Sequence, residues 1–255
     1  MRFLLTNDDG IYARGLSALY EELSAEADCL VVAPEIEQSA VGHAITISRP
    51  LMVRRATKNG KFLGYAVCGT PADCVKIGIK ELSDKPVDLV VSGINRGSNA
   101  GINVIYSGTV SAATEAVFMG IPALAISLDS HKEADYTYAA QFAHKMVQVM
   151  MKNPELNNSA INVNVPALPP EEIKGVVVVK QGKGNIMESF EKRIDPRENI
   201  YYWISGESQA GKEAKDTDVG ALAQGFITIT PIQSDLTRYD LLDDLKKIMT
   251  KRSII

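Results

Sequence analysis

Asp8 and Asp9 are adjacent carboxylates just beyond the apolar run Phe3-Leu4-Leu5, and Gly10 follows them. Neighbouring acids repel each other and resist burial unless positive charge lies between them. A cation that prefers hard oxygen donors meets that need. A solvated turn is the alternative, since Asn, Asp and Gly are ordinary turn formers. Further polar clusters shift the balance towards the cation: Gln38-Ser39, Asn95 to Asn99, and Ser107-Gly108-Thr109. Like the acids, they fall after strand-like runs, and in a parallel sheet the carboxyl ends of the strands share one rim. Two carboxylates, a hydroxyl and an amide carbonyl suit Mg²⁺ or Mn²⁺, with waters completing the octahedron, and do not suit zinc. Ser107-Gly108-Thr109 leads into a helix of small and apolar residues, Val110 to Met119. The N–H groups and dipole of a helix start favour an anion. Hydroxyls at Ser107 and Thr109 add donors, and Gly108 permits close approach; helix capping by these hydroxyls is compatible with that role. A divalent cation beside such a helix start is a site for a phosphate ester.

Other chemistries lack their residues. There is no G-x-S-x-G elbow. Gly206 to Lys212 fits G-x-x-x-x-G-K, but Glu213 stands where a phosphate-binding loop needs Ser or Thr. Gly93 to Gly101 lacks the dinucleotide fingerprint. The acids are adjacent rather than separated by one residue, which argues against an aspartyl-phosphate loop. Cys29, Cys68 and Cys74 have no metal-like spacing and read as reduced thiols. A net charge of −4 offers no footprint for a nucleic-acid polymer. With neither a signal peptide nor a membrane-length apolar run, a cytoplasmic protein that does not engage membranes is expected. His43 reads as a polar loop residue, His131 and His144 as structural, and Asp73 as a first-turn helix acid. Arg96 fits either a surface charge or a phosphate partner.

The elements that must position these groups follow in order. Phe3 onward reads as a buried strand, Ala13 to Glu26 as a helix with Leu16, Leu19, Tyr20 and Leu23 on one side, and Asp28 to Pro34 as a second buried strand. Strand, helix, strand predicts a right-handed crossover and a parallel sheet. Residues 45–67 read as an antiparallel excursion of Ile45-Thr46-Ile47, Leu51-Met52-Val53 and Phe62 to Val67, with Asn59-Gly60 as a hairpin turn. Thr70 caps a helix that Pro71 opens. Val87 to Ser92 is a strand running into a glycine- and asparagine-rich loop. Pro122 to Leu128 and Ile161 to Pro166 are strands, and Asp135 to Met151 is an amphipathic helix. Val176 to Val179 reads as a short buried strand, residues 183–200 as polar, Ile200 to Ile204 as an aromatic strand, and Gly225 to Pro231 as a strand half open to solvent. Tyr239 to Met249 is a helical tail. The fold expected is Rossmann-like, a three-layer α/β domain spanning residues 1–255. Its sheet is mainly parallel, with β-rich excursions near 45–67 and 183–232. A hairpin and helical tail, about 183–255, is the part suited to self-association.

Several of these stretches resemble the signature motifs of one family. They are Thr6-Asn7-Asp8-Asp9-Gly10, Ala33-Pro34 with Gln38-Ser39, Gly69-Thr70-Pro71-Ala72-Asp73-Cys74-Val75, Ser92 to Gly97 with Asn99, and Tyr106-Ser107-Gly108-Thr109-Val110. In this order they resemble the SurE family of metal-dependent nucleotidases, also called stationary-phase survival proteins. Asp216-Thr217-Asp218 and Ile227 to Pro231 are similar to its C-terminal pattern. The resemblance implies one divalent ion per subunit, Mg²⁺ or Mn²⁺, held by Asp8, Asp9, Ser39 and Asn95. It implies a phosphate site lined by Asn99, Ser107, Gly108 and Thr109. The implied activity is hydrolysis of nucleoside 5′- and 3′-monophosphates, with short polyphosphate as a further substrate of some members. The implied assembly is a homodimer or homotetramer with exchanged C-terminal segments.

Overall fold

Side chains alternate across a strand, so β1 (Arg2–Thr6) serves two cores at once. Phe3 and Leu5 join one buried cluster and Leu4 joins the other. The computed structural model describes residues 1–130, 132, 134–184, 186–208 and 213–251, the side chains of 186–188 and 205–208 excepted. His131 and residues 209–212 of the glycine-lysine stretch lie outside the described residues.

The further strands are β2 (Asp28–Pro34), β3 (Val53–Lys58), β4 (Lys61–Val67), β5 (Leu89–Arg96), β6 (Ala123–Asp129), β7 (Ala160–Pro166), β8 (Val176–Val178), β9 (Ile186–Ile194), β10 (Ile200–Ser208) and β11 (Ile227–Ile232). A nine-stranded sheet has the order β3-β4-β2-β1-β5-β6-β7-β11-β8. From β4 to β7 the neighbours are parallel. β3 and β11 run antiparallel to β4 and β7. The helices are α1 (Arg14–Leu23), α2 (Pro71–Ile77), α3 (Asn103–Tyr106), α4 (Gly108–Phe118), α5 (Thr137–Lys152), α6 (Asp218–Leu222) and α7 (Leu242–Lys251). Leu16, Leu19 and Leu23 of α1 and Phe142, Met146 and Met150 of α5 cover one sheet face. Cys74 and Val75 of α2 and Val110, Ala112, Ala113 and Ala116 of α4 cover the other. The result is three α/β/α layers. The chain order reverses at β1, with β2 on one side and β5 on the other, so the crevice beyond β1 and β5 is the switch point where such sheets bind ligands.

The structure differs from the sequence reading in four places. The Asn59-Gly60 turn forms, with φ of 53° and 74°. However, β4 pairs in parallel with β2, so the hairpin extends the main sheet rather than leaving it. Gly64 allows this, since a Cβ there would lie 2.3 Å from the Val31 carbonyl oxygen. Ile45-Thr46-Ile47 forms no strand, because the Thr46 N–H is bonded to the Asp73 carboxylate. Second, β5 does not end at Ser92. It runs on to Arg96, slipping register against β6 between Ser92 and Asn95. Gly93 permits the slip, at φ 141° and with no room for a Cβ against the Ile126 carbonyl. Third, the polar residues 183–200 contain β9, which pairs with β10 in a separate two-stranded sheet. Fourth, Thr228 and Thr230 of β11 are buried because β11 lies between β7 and β8, whereas Val178 on the edge strand β8 is 74% exposed.

Candidate active site

The turn after β1 is built by its own residues. The Asn7 side-chain amide donates to the Gly10 carbonyl at 2.9 Å, and Gly10 takes a φ of 98°. Asp8 is thereby left only 6% exposed, and Asp9 is half-buried at the rim. The start of α4 abuts Asp8 closely. A Cβ on Gly108 would lie 2.7 Å from the Asp8 Cβ, so only glycine fits without displacement. Thr109 donates its hydroxyl to Asp8 Oδ1 at 2.6 Å and its N–H to Oδ2 at 3.2 Å. The anion at the positive end of α4 is therefore Asp8 itself. Ser107 caps the same helix, its Oγ accepting the Val110 N–H at 3.0 Å.

Neighbouring strands bring in the remaining groups. The Gln38 N–H donates to the Asp8 carbonyl at 2.7 Å, tying the segment after β2 to the turn after β1. The Ser39 hydroxyl donates to Glu37 Oε1 at 2.5 Å. Asn95 donates its amide N–H to the Gly97 carbonyl at 2.8 Å, which leaves Oδ1 as its donor atom for a ligand. The Arg96 N–H donates to Asp9 Oδ2 at 3.2 Å. Asn99 is gripped from below. Its N–H donates to Asn164 Oδ1 at 2.7 Å, its side-chain amide to Ser127 Oγ at 2.8 Å, and its carbonyl accepts from Asn162 at 2.7 Å. Two residues on, the Gly101 N–H donates to buried Asp218 at 2.9 Å; Asp218 also accepts from the N–H groups of Gly182 and Val219.

Asp8, Asp9, Ser39, Asn95, Asn99 and Ser107 line one cavity of about 400 Å³. Gly108 and Thr109 do not; they stand behind Asp8. Glu37, Asn103 and Tyr106 also line the cavity; Tyr106 stands in one of the motifs, but the sequence reading assigns none of the three a role. A Glu in a loop reads as a solvated charge, so the only available signal for Glu37 was its place two residues before Ser39. Glu37, Asp9 and Arg96 also border an adjoining cavity of about 210 Å³ that reaches Arg14 and Tyr136.

Burial pushes the Asp8 carboxyl up, against the opposing hydrogen bonds from Thr109 and Gly108. Burial and the charge of Asp8 push Asp9 up to about 6, with Glu37 adding to the effect and the Arg96 amide opposing it. A cation between acids held this way would offset both burial and repulsion. The donors are all oxygens, and each Asp8 oxygen that accepts from Thr109 keeps a second lone pair. Among the described residues no group of three or more His, Cys, Asp or Glu converges to hold a metal. The set is thus two carboxylates supplemented by neutral oxygens, which fits a hard divalent cation that keeps several waters.

A three-layer α/β protein with a polar cavity at its switch point, lined by acids, neutral oxygens and Arg96, is the class that fold and site define. The family model described as "Survival protein SurE" matches residues 3–188, and the chain belongs to that family. A 5'-nucleotidase SurE from Syntrophus aciditrophicus (strain SB) is 65% identical over 254 residues, covering 99% of this chain and 96% of that one. Another, from Syntrophobacter fumaroxidans (strain DSM 10017 / MPOB), is 50% identical, covering 97% of this chain and 99% of that one. The crystal structure of the SurE protein from Aquifex aeolicus superposes with a TM-score of 0.84 at 38% identity, covering 97% of this chain and 99% of that one.

Proposed function

We propose that this chain is a 5′-nucleotidase that hydrolyses nucleoside 5′-monophosphates, and 3′-monophosphates besides, to nucleoside and phosphate. The observation that carries the reading is the convergence of Asp8, Asp9, Ser39 and Asn95 on one cavity, in a chain 65% identical to a 5'-nucleotidase SurE. One Mg²⁺ or Mn²⁺ per subunit would be held by those four residues and would supply the positive charge that polarises a phosphoryl oxygen. The chain's own groups do the rest. Thr109 and Gly108 act through Asp8, fixing its carboxylate. Asp9 has the higher exposure of the pair and an oxygen, Oδ1, not engaged by the Arg96 N–H, and it is the group suited to take the proton of the attacking water. The Ser107 hydroxyl hydrogen and the second amide hydrogen of Asn99 are donors for phosphoryl oxygens as charge develops on them.

The partner is a small nucleotide. No helix among the described residues is long and apolar enough to cross a membrane. A cytoplasmic setting belongs to the same proposal, supported by cysteines that form no disulfide among the described residues. So does a homodimer or homotetramer with exchanged C-terminal segments. Its support is the apolar surface of β9–β10 and α7, including Phe190, Trp203, Ile204 and Ile248.

Phosphate release from AMP and GMP with Mn²⁺ tests the reading, with EDTA as control and sugar phosphates as rival substrates. Asp8→Asn and Asp9→Asn should each abolish release while circular dichroism stays unchanged. Nucleotide binding without release under any divalent ion would instead indicate a sensor, and preference for sugar phosphates would replace the nucleotide.

A further inference from the structure

Between β2 and β3, residues 35–52 run without regular structure, and this stretch carries Ser39. Its start is tied down by the backbone: the Glu35 N–H donates to the Val67 carbonyl at 2.9 Å and the Gln38 N–H to the Asp8 carbonyl at 2.7 Å. The chain then turns through Ala40 and Gly42, at φ 55° and 62°. Ala40 pays a strain cost in that left-handed region, so the turn needs support from its surroundings. The Ser39 hydroxyl bonds only within the turn, to Glu37, among the described residues.

Support arrives directly after the turn. The Gly42 N–H donates to the Tyr106 carbonyl at 2.9 Å. His43 Nε2 donates to Glu115 Oε2 at 2.9 Å, and Nδ1 meets the Thr114 hydroxyl at 3.3 Å. The imidazole also stacks on Phe118, with centroids 5.3 Å apart and planes 8° apart. Glu115 is itself buried and fixed through its other oxygen by Lys76 Nζ at 2.8 Å. The three partners of the imidazole, Thr114, Glu115 and Phe118, all lie on α4, the helix whose first residues hold Asp8, and Tyr106 ends α3 just before it.

We propose that His43 is a positioning residue for the cation site, clamping the Ser39 turn to α4 so that Ser39 and Asp8 are held against one rigid element. The inference rests on Ser39 being a cation ligand, as the proposed function has it. A ligand on an irregular segment gains precision from the groups that fix the segment.

The test is calorimetric titration of Mn²⁺ into the metal-free protein, for the wild type, Ser39→Ala, His43→Ala and the double variant, with thermal melts in parallel. His43→Ala should weaken Mn²⁺ binding about tenfold. In the Ser39→Ala background it should add almost nothing, since neighbours acting on one interaction are not additive. His43→Gln, which keeps a donor for Glu115, should recover part of the loss, and excess Mn²⁺ should restore turnover of His43→Ala. Wild-type Mn²⁺ affinity in His43→Ala would overturn the proposal, as would additive effects in the double variant. If Ser39→Ala itself leaves Mn²⁺ affinity unchanged, the proposal falls with the ligand role of Ser39. Loss of Mn²⁺ binding in Asp9→Asn would still stand as separate support for the acidic site.

Discussion

The carboxylate of Asp8 occupies the helix start that the sequence marked for a phosphate. Ser107-Gly108-Thr109 has the donors of an anion site, but the anion those donors meet is carried on the neighbouring strand. Thr109→Val keeps the shape and removes the 2.6 Å hydrogen bond to Asp8. A hydrogen bond to a charged group is worth about 1.5–3 kcal/mol. Mn²⁺ affinity and AMP turnover should both fall roughly ten- to a hundredfold, as metal titration and phosphate release would show. Asp9 carries a pH prediction. Its carboxyl is pushed up to about 6 in the folded protein, from an ordinary 3.8. The folded state therefore binds the proton more tightly than the unfolded chain between those values. The metal-free protein should lose stability as pH rises from about 4 through 6. Cation binding should strengthen over the same rise, because the proton competes with the metal. Melting temperatures at pH 5 and 7.5, with and without Mn²⁺, check both signs, and Asp9→Asn should flatten both trends.

At the scale of elements, the segments that carry site residues are fixed by buried polar groups. Asp218 is the clearest case, accepting N–H groups from Gly101, Gly182 and Val219. Asp218→Ala leaves these donors unmatched, at about 1–3 kcal/mol each if they stay buried. Urea unfolding should show a loss of more than about 3 kcal/mol, and Asp218→Asn a smaller one. Elements of this kind differ in how far the sequence reveals them. The bounds of β2 match the sequence reading at both ends, because an unbroken apolar run flanked by polar residues and closed by proline is a local signal. The extension of β5 was not legible: Gly93-Ile94-Asn95 has loop composition, and the slip that makes it a strand depends on β6. β9 was hidden for a different reason. Its residues 189–194 are all exposed, so the alternation that marks a half-buried strand is missing there, and its pairing with β10 defines it. The placing of Asp8 and Asp9 in the cavity could be read because adjacent carboxylates directly after a buried apolar run are a local signal. The partner of Thr109 and the place of Glu37 could not, since the sequence shows which groups are present but not which neighbours they face.

Across the whole molecule, the β9–β10 pair and α7 carry a large share of the exposed large hydrophobics among the described residues. Trp203 is 59% exposed and Ile204 71% exposed on β10, and α7 has no buried residue. Single apolar residues on a surface are ordinary, whereas a contiguous set marks an interface. Trp203→Glu combined with Ile204→Lys should reduce the assembly size in sedimentation velocity. Ending the chain before residue 232 should do so too; an unchanged size in both would count against exchange of the C-terminal segments. The distribution of contacts along the chain also bears on biosynthesis. Asp8 and Asp9 precede in the chain the groups that hold their carboxylates, which come from 95–109, and that segment is pinned by the still later Asn162, Asn164 and Asp218. The nascent polypeptide therefore carries its acidic pair until residues of the later strands and of α6 have been made, and the framework that arranges the pair is assembled from segments synthesised well apart.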